Sequence, residues 1–349
     1  MANLIRYSDG DIVVSTDKLT TSTWSDNTNN LQVAFTSSLT NYSSNTASGQ
    51  FFIEVFNKEA TDLTAQVQYA VAYGNRVGSG SPDFTNDIGS FGFGASRVIY
   101  NQYRQLVFGD ETQNFTFDKH TPNDIYVINV ERARFKHNLK PGSLNLTISG
   151  SSHSSIGLPA GRKDIHLTDD SVTSTGSAVV TNLGRQFNIV SGSNGIALGG
   201  TISQINTSAS YGLFYPDAGV IILNPDAFEG MILPARNTGV SSNTDLNHRK
   251  LHQSISGAAH FIVDSQEKVT SQYYFTRAKN NEFNYTTNPS FVDANGNVNV
   301  NSFIDNPQTF ITTIGLYNDN NDLVAVAKLS QPVTKDFTKE ALIRVKLDY

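Results

Sequence analysis

The sequence predicts a mainly β protein, with antiparallel sheets in sandwich-like domains and few short helices. Charged residues make up 16% of the 349, against about 25% in average soluble domains. Long solvated helices therefore lack the Glu, Lys and Arg that cover their outer faces. Uncharged polarity takes their place: Asn, Ser, Thr and Gly are abundant, Asn alone being about a tenth of the chain, which suits strands joined by Asn- and Gly-rich turns. Alternating runs of β-branched and aromatic residues recur from end to end, the pattern of half-buried strands.

In chain order, Gln50 to Phe56 alternates Phe52, Glu54 and Phe56 against Phe51, Ile53 and Val55, one face mixed and the other apolar. Ala65 to Tyr73 follows as a strand. Ala95 to Phe108 is the strongest helix. Its Val98, Ile99, Tyr103, Leu106 and Val107 recur at helical spacing, with Arg97 and Arg104 elsewhere on the wheel. Gly109 stops it, and Gly89, Gly92 and Gly94 make a flexible approach. Strands are then expected at Asp124 to Val130, Ser143 to Ser149, Gly219 to Asn224, Ala259 to Asp264, Gln272 to Arg277, Thr309 to Tyr317, Leu323 to Leu329 and Leu342 to Leu347. Asp226 to Met231 and Thr244 to His252 are expected as short helical turns.

The Ser- and Gly-rich stretches Ser149 to Gly161 and Ser191 to Gly200 mark loops or boundaries. The expected division is a β-rich domain over 1–150 with its helix near 95–108, and an inserted or second β-rich domain over 151–264. The strands of 265–349 then rejoin the first domain, because a run of roughly 75 residues is too short for a large core of its own. No internal repeat is visible, which argues against a solenoid, propeller or fibre.

Lys and Arg number 25 against 31 Asp and Glu, a formal charge of −6, so the broad cationic surface that attracts nucleic acid is missing. No run approaches the roughly 20 apolar residues of a membrane span, and Met1 to Leu19 lacks a secretory apolar stretch. A soluble chain made in a cytosol is expected, with neither nucleic acid nor membrane as partner. The absence of cysteine excludes disulfides, thiolate metal sites and a cysteine nucleophile.

Candidate chemistry is thin. His248 and His252 stand four apart, but Arg249 occupies the place of a zinc protease's Glu, so both are expected at the surface. Asp293 to Asn297 and Asn318 to Asp322 resemble calcium loops without the Glu that closes one, and are expected as hairpin turns. A glycosidase needs two carboxylates facing across a cleft; Asp164, Asp169 and Asp170, with Glu131 far upstream, are expected to be solvated loop carboxylates. No nucleophile elbow, phosphate loop or dinucleotide fingerprint occurs. The expectation is no enzyme, no cofactor and no metal. In Arg132 to His137, Arg132 and Arg134 crowd a strand end, either blocking an edge or meeting an acidic partner. The tyrosines within strands are expected in the core.

Several blocks carry a family resemblance. They are Ile99 to Arg104, Asp124 to Arg134, Leu139 to Leu146, Tyr211 to Gly219, Glu282 to Pro289, Thr312 to Asp319, Leu323 to Ser330 and Ile343 to Tyr349. Together they resemble structural proteins of contractile-tailed bacteriophages, cyanophages among them. The resemblance implies a virion subunit of the tail, in the baseplate, assembled in the host bacterial cytoplasm. Its partners would be copies of itself and other tail proteins, and the resemblance transfers no catalytic residue. Two Met and no Cys suit a protein later exposed to oxidants. Phe283 and Tyr285, if extended, share one side of a strand and could anchor in a partner's pocket or point into the chain's own sheet. The alternatives are a receptor-binding or fibre-type adhesin gripping host-surface glycans, a neck, collar or capsid-surface protein, and a carbohydrate-degrading spike enzyme.

Overall fold

The alternating runs do form strands, and the fold is mainly β with antiparallel sheets. A computed structural model of the chain describes residues 4–31, 35–36, 52–59, 61–80, 94–149, 164–173, 178–198, 210–228 and 247–349. The chain divides into two compact units, one of Leu19–Glu267 and one of Met1–Lys18 with Lys268–Tyr349.

The Leu19–Glu267 unit is organised by one antiparallel sheet. Its strands lie in the order Phe261–Ile262, Asn145–Ser149, Asp164–Asp169, Gly184–Ser193, Gly212–Tyr215, Val220–Leu223, Asp124–Val130, Val67–Asn75, Phe52–Phe56 and Phe35–Thr36. Side chains alternate between two cores because successive residues of a strand point to opposite faces. Tyr126, Ile128 and Val130 join Trp24, Tyr69, Val71 and Phe261 on one face. Ile125 and Val127 join Ala72, Leu213 and Ile222 on the other. The central strands are apolar on both faces since each face is covered.

A helix lies over each core. Ala95–Phe108, as expected from its periodicity, brings Ile99, Tyr100, Tyr103 and Val107 to the second core. It ends where Gly109 takes φ 68° and returns its N–H to the Gln105 carbonyl. Gly74 lets it approach, since a Cβ there would stand 2.9 Å from the Tyr100 nitrogen. Three wheel assignments differ from expectation: Val98 and Leu106 are exposed while Arg104 is buried, its guanidinium lying over the Tyr100 ring at 4.9 Å. Gly89 and Gly92 lie outside the described residues.

The second helix, Asn247–Ala258, is longer than expected and corrects the placement of its histidines. His248 and His252 are buried. They fall on one stripe with Leu251 and Ile255, which belong to the first core, so the neighbouring cations said nothing about their face. Burial lowers both imidazoles to a pKa of about 4. Of the helical turn expected at Asp226 to Met231, Asp226 and Ala227 belong to the short 3-10 helix Pro225–Ala227, capped by the Asn224 side chain, and residues 229–231 lie outside the described residues.

The division of the chain also differs from expectation. Asn145–Ser149 pairs with Asp164–Asp169 from Asn145↔Thr168 to Ser149↔Asp164, so a boundary at 150 would cut a sheet. Val220–Leu223 likewise pairs with Asp124–Val130. Ser191 to Gly200 is no boundary either, because Ser193↔Ile196 closes a hairpin around Asn194 and Gly195, both at positive φ, as a two-residue Asn-Gly turn requires.

In the other unit, Ser271 to Ala278 pairs with Asp348 to Ala341. Thr309–Tyr317 and Leu323–Lys335 form a separate two-stranded hairpin. The C-terminal strands thus share a unit with residues 1–18 and not with the bulk of 1–150. No described helix is long and apolar enough to cross a membrane.

Candidate interaction surface

The long hairpin is built from its turn upward. Asn318 folds the turn by accepting the N–H groups of Asn320 and Asp322 at 3.0 and 2.8 Å, and Asn321 takes φ 62°. Asp293 does the same for Asn295 and Asn297, both at 2.8 Å, beneath the Val292↔Val298 bridge. Both acidic, Asn-rich clusters are therefore turns, as expected. The register shifts between Ile311 and Thr313, and residues 329–332 fall in that irregularity. Pro332, which has no N–H to give, is tolerated in the strand for that reason.

At the hairpin base, Lys335 is buried and donates three hydrogen bonds: 3.0 Å to the Asn280 carbonyl, 2.8 Å to Asn284 Oδ1 and 3.0 Å to the Asp336 carbonyl. An ammonium has three protons, so every donor is used.

Above that base the hairpin exposes apolar side chains among polar ones. Phe310, Leu323, Val324, Val326 and Val333 are exposed, Val324 by 66%. Alternation explains the pattern: Ala325, Ala327 and Leu329 are half-buried, while Val324 and Val326 stand on the open side. Neither strand of the hairpin pairs with any other described strand, leaving two edges of unused N–H and C=O groups. Val13, Val14 and Leu342, on strands of the same unit, are exposed as well. Both large apolar cores lie in Leu19–Glu267.

Between the hairpin and its own unit runs an apolar groove of about 270 Å³, lined by Leu4, Tyr7, Phe283, Ile311, Ile314 and Tyr317 among others. Phe283 thus faces a groove of its own chain. The extended geometry expected for Phe283 and Tyr285 is absent, because Phe283 takes φ 53°. Tyr285 is exposed and packs edge-on against Phe291 at 5.7 Å.

Arg132 and Arg134 lie in the Leu19–Glu267 unit, so the four candidate residues are not brought together. They form the 3-10 turn after Asp124–Val130, a strand paired on both sides, and so guard no edge. Arg132 donates to the Phe135 carbonyl at 2.6 Å and covers its ring; Arg134 donates to Gln66 Oε1 at 2.7 Å. Both hold the turn.

Among the carboxylates, Asp169 corrects expectation. It is buried in a strand, accepts the Gly142 N–H at 2.7 Å and the Ser171 hydroxyl, and is raised in pKa by burial. Asp170 holds the Asn188 N–H and side-chain amide at 2.9 and 3.0 Å. Both are occupied in tying strands together. Among the described residues, no group of three or more His, Asp or Glu is placed to hold a metal.

The N-terminal strand Ile12–Ser22 was missed by sequence reasoning. Its one signal was the β-branched Ile12-Val13-Val14 run. No family model matches the chain, and neither curated proteins nor solved structures yield a match.

Proposed function

We propose that this chain is a non-enzymatic structural subunit of a bacteriophage tail, a baseplate component that works through large contacts with copies of itself and neighbouring tail proteins. The observation that carries this reading is the unit of Met1–Lys18 and Lys268–Tyr349, whose hairpin leaves apolar side chains and two strand edges open. Long, apolar, unpaired edges are a liability in a free monomer and an asset in an assembly. Burying one such Val, Leu or Phe is worth about 1.5–3 kcal/mol. The five on the hairpin, each already partly covered, supply part of an association cost of order 10 kcal/mol, and edge pairing adds more contacts and a direction.

The resemblance of Asp124 to Arg134, Thr312 to Asp319 and the other blocks to contractile-tail proteins supplies the particle. Synthesis in the host cytoplasm followed by exposure on a virion fits a chain with two Met and no Cys.

Light scattering on the purified chain tests the reading. The wild type should self-associate with rising concentration or bind extracted tail proteins, and Val324→Lys with Val326→Lys should abolish both. An epitope placed after Tyr349 should then appear at the tail in electron micrographs of particles. A chain that stays monomeric, binds no tail protein and is missing from particles overturns it.

A further inference from the structure

The two open edges of the hairpin differ. Leu323–Lys335 carries Lys328 and Pro332, a charge and a missing N–H of the kind that discourages further pairing. Thr309–Tyr317 carries no charge and no proline. Among the described residues, its backbone makes no hydrogen bond to a backbone group outside the hairpin. One row of its N–H and C=O groups is therefore open.

The apolar groove of about 270 Å³ runs along that edge. Ile311, Thr313, Ile314, Gly315 and Tyr317 line it, while no residue of Leu323–Lys335 does. Successive residues of a strand point to opposite faces, so only the edge presents so continuous a run. The wall away from the hairpin includes Leu4, Ile5 and Tyr7 of the N-terminal segment and Ala341 and Ile343 of the last strand, all in the unit of Met1–Lys18 and Lys268–Tyr349.

No lining residue is charged. The charged residues next in sequence to lining positions are engaged elsewhere or exposed: Arg6 and Arg277 pair with Asp319 and Glu340, Glu282 holds the Lys279 N–H, Arg344 covers the Tyr273 ring, and the Lys279 side chain lies in solvent. The hydroxyls of Tyr7 and Thr276 bond to each other at 2.5 Å. A guest thus meets apolar walls and, on one side, main-chain donors and acceptors. Each selects. A charged side chain would lose water there without gaining a partner, and a lipid or apolar small molecule would leave the strand edge unmatched. An extended, uncharged peptide satisfies both, its backbone pairing with the edge while alternate side chains enter the groove.

We propose that the Thr309–Tyr317 edge accepts one extended, uncharged segment of a neighbouring subunit, with aliphatic residues at alternate positions, as an added strand seated in the groove. This rests on the reading of the chain as an assembly subunit and names the kind of segment it takes.

Calorimetry on the full chain with the capped peptide acetyl-Thr-Val-Thr-Val-Thr-Val-amide tests it. Saturable binding is expected, with amide hydrogen exchange slowed in Thr309–Tyr317. The same peptide N-methylated at every residue keeps its side chains but has no N–H to give, and should not bind; nor should one with Lys in place of each Val. Leu4→Lys, at a wall position 56% exposed, should weaken binding roughly tenfold with amide exchange of the free chain unchanged. Val180→Lys, at an exposed valine of the other unit, should not. No saturation up to about 1 mM, equal binding of the N-methylated or Lys peptide, or affinity untouched by Leu4→Lys overturns the proposal. Such a failure in a chain that self-associates and appears at the tail leaves the assembly reading standing, whereas peptide binding by a chain missing from particles overturns that reading and keeps the strand site.

Discussion

Lys335 Nζ donates to Asn284 Oδ1 at 2.8 Å, in a site where both residues are buried. The same Asn284 uses its amide to hold the Asn280 carbonyl at 2.7 Å, so one lysine and one asparagine lock residues 280–284 to the foot of the hairpin. Lys335→Met keeps the apolar stem but leaves Asn284 Oδ1 and the Asp336 carbonyl without their lysine partner. The cost should be about 1–3 kcal/mol. Hydrogen exchange should show protection falling across Thr309–Tyr317 and Leu323–Lys335, with the Leu19–Glu267 sheet unchanged. Equal loss in both units would contradict this local role.

Trp24, the single tryptophan, reports on the larger core. Its Nε1–H donates to the Phe261 carbonyl at 2.9 Å, and its ring meets the Phe261 ring edge-on at 5.0 Å. Tyr69 closes the triangle, 5.3 Å from Phe261. Phe261→Ala removes the shared ring and should destabilise the unit by about 3–5 kcal/mol. Trp24 emission should shift to the red as water enters. An unshifted spectrum with unchanged denaturation midpoint would show that the triangle is not a packing unit.

The buried histidines set a pH dependence. In the folded chain His248 and His252 have pKa values lowered by burial to about 4, below the ordinary 6.5. The unfolded chain therefore binds more protons between those values, so stability is complete above about pH 6.5 and falls as pH drops towards 4. Each histidine contributes roughly 2–3 kcal/mol to that loss. Asp169, whose pKa is raised, acts in the opposite sense in the acid range. Denaturant titrations at about pH 7 and pH 5 should thus show a large loss in the wild type and a smaller one in His248→Leu/His252→Leu. Equal losses would exclude the histidines as its source.

These features were unequally legible in the sequence. Ala95–Phe108 could be read because a strong 3.6 period ends at a glycine, and Asp124–Val130 because four of its seven residues are β-branched and one more is aromatic. Gly212–Tyr215 could not, since four residues buried on both faces show no alternation. Gly184–Ser193 was hidden by polar residues that sit half-buried in the middle of a sheet. Arg104 and the histidines were misplaced for a common reason: polarity was allowed to outweigh the helical stripe on which each lies. Phe283 failed differently, because a left-handed backbone is set by the turn around it. The apolar hairpin was visible as two strands, but that neither strand finds a further partner follows from long-range pairing, which periodicity does not carry.

Asp217 grips Arg185 from the turn between two strands, with Arg185 Nη2 2.6 Å from Oδ1 and Nε 3.1 Å from Oδ2. The Arg185 backbone N–H adds a third bond to Oδ2 at 2.8 Å. This two-pronged contact ties Gly184–Ser193 to the turn that joins Gly212–Tyr215 to Val220–Leu223, and it holds the Arg185 pKa above its usual value through the Asp217 hydrogen bonds. Bidentate, charge-assisted bonds exceed ordinary surface pairs. Partial exposure, at 33% for each side chain, moderates the gain. Asp217→Ala should cost about 1–2 kcal/mol, and Arg185→Ala a similar amount. If the contact acts as a unit, the double variant will cost little more than either single one. Denaturant midpoints for the full cycle measure this, and strictly additive losses would mean that each side chain acts through other contacts.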